Sequence, residues 1–227
     1  MGRSEHTCYA CEQPASTVEH CPPRSFFTER QRNQLLTVPS CEQHNNDNSK
    51  DVEYVRNVVT TIWGVNTSGV GLFESKVKRS FDRSPALLAM TFSSMKTVFH
   101  EGHVTGAFKI DTDRLANIFK ACARAIHYFD TRSKSADWGI VMPRLLFSPE
   151  VEDAGKQPWF RLYEMLQSIG FSRRATANPE IFEYGSADLD GQRLYCFVFY
   201  GVFVVYALPL PEGFSPQSIL TQAEATS

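Results

Sequence analysis

CYACEQPASTVEHCPPRSFFTERQRNQLLTVPSCEQHNNDNSKDVEY, residues 8–54, is the stretch that decides how this chain folds. Cys8 and Cys11 form one knuckle, C-x-x-C. Cys41 and His44 form a second, C-x-x-H, about thirty positions later. Zinc takes four thiolate or imidazole ligands in a tetrahedron, and residues two apart can grip it from one turn. The paired knuckles therefore predict a Cys3His site. A redox dithiol is the rival reading of the first knuckle, but it belongs at a helix start in a strand–helix pattern. Between the knuckles lies Glu19-His20, and Asn45 follows the last ligand directly. A carboxylate, an imidazole and an amide close to one clamp are the groups that hold a hard cation and move a proton. In an extended segment neighbouring side chains point opposite ways, so Glu19 and His20 need a bend or twist to share a site.

Working outward, 227 residues suit one such module plus one ordinary domain. A segment of about fifty residues buries too little surface to fold without a metal or a disulfide. With 42% hydrophobic and 21% charged residues, the composition is globular rather than disordered. No apolar leader separates the charged opening from the first knuckle, so a cytoplasmic location is expected. There the six cysteines read as metal ligands or buried thiols rather than disulfides, Cys21 as a buried thiol. Asn66-Thr67-Ser68 matches a glycosylation acceptor that is idle without secretion.

Net charge is −2, unevenly spread. Residues 56–134 hold twelve basic and six acidic side chains, and residues 135–227 six basic and eleven acidic. A basic middle suits phosphate, although clustering on solvated helix faces gives the same count.

A strand is expected over 33–40, then a helix that either starts at Cys41 and frays or is capped near Asp51. Val55, Val58, Val59 and Ile62 share its apolar face. GVNTSGVG, residues 64–71, reads as a turn and as the boundary between 1–63 and 72–227. It lacks the Gly-Lys-Ser/Thr ending of a phosphate loop. Helices are expected over 72–80, 85–98, 112–129 and 159–169, with a strand pair near 104–110. The tail, with Asp190-Gly191 between aromatic and β-branched runs, reads as a strand meander. Leu194–Leu210 is apolar throughout but too short for a spanning helix and is broken by Gly201, so core strands are expected and no membrane partner.

His100-Glu101-Gly102-His103 places its histidines three apart, where a metalloprotease helix needs four, and reads as loop or strand. His127 reads as a packed histidine and Arg173-Arg174 as a solvated turn.

Residues 8–54 resemble the HNH endonuclease domain, the ββα-metal finger, over about a fifth of the chain. The resemblance implies an α+β chain: a zinc-bound, treble-clef-like finger, then an α+β accessory domain with a C-terminal antiparallel meander. It implies a structural zinc on Cys8, Cys11, Cys41 and His44, and a catalytic Mg2+ or Mn2+ on Glu19 and Asn45. His20 matches the general base, Pro23 the family's proline, and Asn33 the residue that supports the histidine loop. Two positions depart from the pattern. His44 replaces a fourth Cys, and Glu19 stands where Asp is commoner. Asn48 and Ser49 are partial substitutes for a third metal ligand.

The implied activity is metal-dependent hydrolysis of DNA, with Lys76, Lys78, Arg79, Arg114, Lys120 and Arg124 as candidate backbone contacts. A non-catalytic zinc module that binds nucleic acid or protein is the alternative. A third reading is a phage-defence effector that waits for a partner protein on its C-terminal domain.

Overall fold

The computed structural model describes residues 7–46, 49–100, 102–135, 137–143 and 158–210. The chain is a mixed α and β protein. The first strands, β1 (Thr17–Cys21) and β2 (Leu36–Ser40), pair antiparallel with Glu19 opposite Val38 and His20 opposite Thr37. Residues 24–26 and 29–31 form two 3-10 turns, and the strand expected from residue 33 starts later because Asn33 and Gln34 form a turn, Gln34 with a left-handed backbone. Two helices follow, α1 (Glu42–Asn46) and α2 (Ser49–Thr60). Both expected helix starts are therefore realised, with Asp47 and Asn48 outside the described residues. Val55, Val58 and Val59 are fully buried, as their spacing requires.

The segment 64–71 is not an open turn. Asn66 caps α3 (Thr67–Leu72), accepting from the backbone N–H of Ser68 and Gly69. A π-helical stretch, Phe73–Val77, leads on into α4 (Lys78–Arg83). Ser84 and Pro85 then start α5 (Pro85–Thr91). The helix expected over 85–98 stops at Thr91. Beyond it, Ser94 takes a left-handed backbone and the chain enters a hairpin of β3 (Lys96–His100) and β4 (His103–Ala107). The two histidines of the 100–103 motif close this hairpin rather than sharing a helix.

The long helix α6 (Thr112–Thr131) runs from an Asp111 cap to a left-handed Arg132. Its period puts Leu115, Ile118, Phe119, Cys122, Ile126 and Phe129 on one face; the first five are buried and Phe129 is half-buried. Strand β5 (Asp137–Val141) follows, unannounced by the sequence reading, and then α7 (Pro158–Gln167). Arg173-Arg174 is not a turn but part of the short exposed edge strand β6 (Ser172–Arg174). The tail is the expected meander: β7 (Phe182–Leu189), β8 (Gln192–Phe199) and β9 (Phe203–Leu210). With β5 and β6 they form one antiparallel sheet in the order β5-β9-β8-β7-β6. Asp190 and Gly191 both have positive φ, the backbone a two-residue hairpin turn demands.

Both faces of this sheet are covered, which explains the apolar run 194–210. Tyr195, Phe197, Phe199, Phe203 and Val205 face the main core, while Leu194, Cys196, Val204 and Tyr206 face a smaller core under α7. In the main core Phe199 meets Phe26 at 5.7 Å, Phe119 at 5.5 Å and Phe182 at 5.1 Å between ring centroids. Residues from both sides of 64–71 thus share one core. Among the described residues no helix is long and apolar enough to cross a membrane.

Candidate metal centre and cleft

The knuckle Cys8–Cys11 lies against β2. Tyr9 N–H donates to the Pro39 carbonyl, and Ser16 N–H to that of Ser40. From the other side, Lys134 Nζ donates to the Cys11 carbonyl at 2.8 Å. The second knuckle opens α1, where Asn45 N–H reaches the Cys41 carbonyl. These contacts gather the four predicted ligands so that their donor atoms lie within 4.8 Å of one another. Around a zinc ion with bonds of about 2.3 Å to sulfur and about 2.0 Å to nitrogen, tetrahedral edges are about 3.8 Å and 3.5 Å. Cys11 Sγ is 3.9 Å from Cys41 Sγ. His44 Nδ1 is 3.6 Å from Cys8 Sγ, 3.5 Å from Cys11 Sγ and 3.2 Å from Cys41 Sγ. The four residues can hold a zinc ion.

Beside this cluster is a cleft of about 320 Å³. Glu19, His20, His44 and Asn45 line it, with Arg24 and Ser25 at the same wall. The opposing wall belongs to α6, through Ile118, Ala121, Cys122 and Ala125. Glu19 and His20 thus reach one space although they are neighbours on a strand. A two-stranded ribbon twists more strongly than a wide sheet, which lets adjacent side chains wrap one end. The ribbon ends there, at a cis Cys21–Pro22 bond.

The electrostatics of the two differ in sign. Burial pushes the Glu19 carboxyl up to about 7, against a backbone hydrogen bond at His20. No cationic side chain among the described residues offsets that burial. Burial, and then the nearby Arg24 guanidinium, hold the His20 imidazole below its usual range. A neutral imidazole and a carboxylate in need of a cation share the space.

Other predicted residues lie elsewhere. Asn33 is exposed in the turn ahead of β2 and is not among the residues lining the cleft. Lys120 and Arg124 both pair with Asp137, at 3.3 Å and 3.8 Å. Arg114 pairs with Asp51 and Asp111 and stacks over Tyr54. Lys78 and Arg79 are exposed on α4, and Lys76 is half-buried. Ser49 lines the cleft, while Asn48 lies outside the described residues.

The sequence reading missed the α6 wall, Tyr9, and the Arg24-Ser25 pair. Ser25 Oγ is buried at the cleft with no hydrogen-bond partner among the described residues. The available signal was Ala121 and Ala125, one turn apart beside the apolar stripe of α6, where small side chains leave room for another surface. Cys21, correctly read as a buried thiol, meets α6 here, its Sγ 3.5 Å from the Cys122 carbonyl. No protein-family model, curated protein or solved structure matches the chain.

Proposed function

We propose that the chain is an HNH-type nuclease that hydrolyses phosphodiester bonds of DNA, its β1–β2–α1 unit serving as a ββα-metal finger. One observation carries this reading: Glu19, His20 and Asn45 line a single cleft built on the Cys3His cluster. Cys8, Cys11, Cys41 and His44 would hold a structural zinc ion, which would fix His44 and, through the next residue, Asn45.

Glu19 and Asn45 would hold a Mg2+ or Mn2+ ion, whose chemistry is to neutralise charge on the scissile phosphate and on the leaving oxygen. Glu19 fits that role because no cationic side chain among the described residues offsets its burial. His20 takes a proton from the attacking water at a ring nitrogen, which it can do because its environment keeps it neutral near pH 7. Arg24, exposed at the mouth, supplies positive charge beside the phosphate.

The test is plasmid cleavage with Mg2+ or Mn2+. Removing a general base costs about 10²–10⁴-fold, so His20→Ala should cut at least a hundredfold more slowly with unchanged zinc content. Equal rates would reject the assigned base.

A second reading is a zinc module that binds nucleic acid or a partner protein without cutting; the excess of acidic over basic side chains in residues 1–55 favours it. It expects zinc retention and no product with any divalent ion.

A further inference from the structure

Of the ten exposed large apolar side chains among the described residues, seven fall between residues 63 and 104. Their peak is the β3–β4 hairpin, a two-stranded sheet of its own. Phe99 and Val104 are directly paired across it, and each is 74% exposed. Met95 extends the same face, its sulfur lying over Gly106, where an added Cβ would approach to 3.1 Å.

The hairpin is firmly mounted. Ser93 and Lys109 exchange hydrogen bonds at its base. Beneath them Phe73, Phe81, Phe92 and Phe108 form an aromatic ladder with centroid spacings of 6.3, 5.4 and 4.9 Å. The ladder ties the hairpin to α4, which exposes Lys78, Arg79 and Arg83. Residues 67–110 hold six lysines and arginines against three acidic residues. The rest of the chain holds seventeen against twenty-two. An apolar tip on a cationic mount, attached to an acidic body, is complementary to one kind of surface. That surface has a dense line of negative charge and stacked apolar planes that can be parted.

We propose that the β3–β4 hairpin is a wedge for duplex DNA: Phe99 and Val104 press against a base step while Lys78, Arg79 and Arg83 contact phosphates. The inference rests on the nuclease reading for the identity of the partner, and it locates the grip outside the metal cleft. Side chains of this type part base steps and bend the duplex, which brings more backbone within reach of the cations.

The test uses the full chain and a fluorescent duplex carrying 2-aminopurine, without added divalent ion. Three proteins are compared: wild type, Phe99→Ser with Val104→Ser, and Lys78→Glu with Arg79→Glu. Wild type should bind and brighten the 2-aminopurine, because an unstacked base loses its quenching. The wedge variant should bind about tenfold more weakly and leave the probe dark. The charge variant should lower the slope of log affinity against log salt by about two. Both wedge positions are exposed, so melting temperatures should coincide, and melting serves as the folding control.

A wedge variant that binds and brightens like wild type overturns the proposal. So does wild-type binding accompanied by loss of self-association in sedimentation, which would assign the hairpin to contacts between copies of the chain. Wild type that binds through the wedge yet never cuts with Mg2+ or Mn2+ would sink the nuclease reading and leave the wedge standing.

Discussion

Glu19 carries a cost that a bound cation would relieve. Its carboxyl is partly buried with no compensating cation among the described residues, and burial raises its proton affinity. Above pH 7 the charged form burdens the fold, so Glu19→Gln should melt higher than wild type at pH 8 when no divalent ion is added. Mn2+ should then raise the melting temperature of wild type but not of Glu19→Gln, a comparison read by calorimetry. His127 gives a pH signature of its own. It lies on α6 between Trp138 of β5 and Tyr195 of β8, with Asp130 one turn on and Arg193 facing it. Burial first, and Arg193 second, lower its proton affinity, while Asp130 opposes them. The unfolded chain therefore takes that proton more readily than the folded one. The stabilisation is complete above the unfolded value of about 6.5 and is lost as pH falls through the lower folded value. Wild type should lose stability between pH 7.5 and 5, and His127→Gln should lose less of it. His20 acts in the same direction, so the flattening should be partial.

At the level of elements, what could be read from the chain depended on whether the deciding contact was local. The meander was legible because Asp190-Gly191 fixes a turn and the aromatic and β-branched runs on either side of it mark strands. The cluster of Cys8, Cys11, Cys41 and His44 was legible because the spacing within each knuckle is itself the geometry that can hold a zinc ion. Helix α3 was not, since Gly69 and Gly71 argue for a loop. Gly69 is required by a distant partner: the Tyr200 ring stands 3.2 Å from where its Cβ would be. The cleft wall was illegible for the same reason, being supplied by α6, about a hundred residues away from the Glu19-His20 pair. Asn66 shows the scale of such a contact. Its side chain caps α3 and donates at 2.6 Å to the Glu180 carbonyl. Asn66→Ala should cost about 1 kcal/mol for the cap alone, with a further loss for the freed carbonyl, measured by urea denaturation.

For the molecule as a whole, the metal cluster and the C-terminal sheet meet in one core around Phe199. Phe199→Ala should destabilise by about 3–5 kcal/mol, and zinc release should follow the same unfolding transition as tryptophan fluorescence. Two separate transitions in wild type would contradict the shared core. Removing the metal should act at the same range. A structural zinc contributes on the order of 10–16 kcal/mol in small fingers, so Cys41→Ala should abolish stoichiometric zinc and cooperative melting together.

The Tyr200 hydroxyl donates to the carbonyl of Phe26, a partner 174 positions earlier in the chain. A ribosome therefore delivers the ligands of the metal long before it delivers the strands that back them. A nascent chain that takes up a zinc ion on these residues would do so while the cleft beside it still has only one side. The second wall arrives with α6, and a chain terminated ahead of β9 would hold both walls of the cleft without the complete sheet that packs behind them.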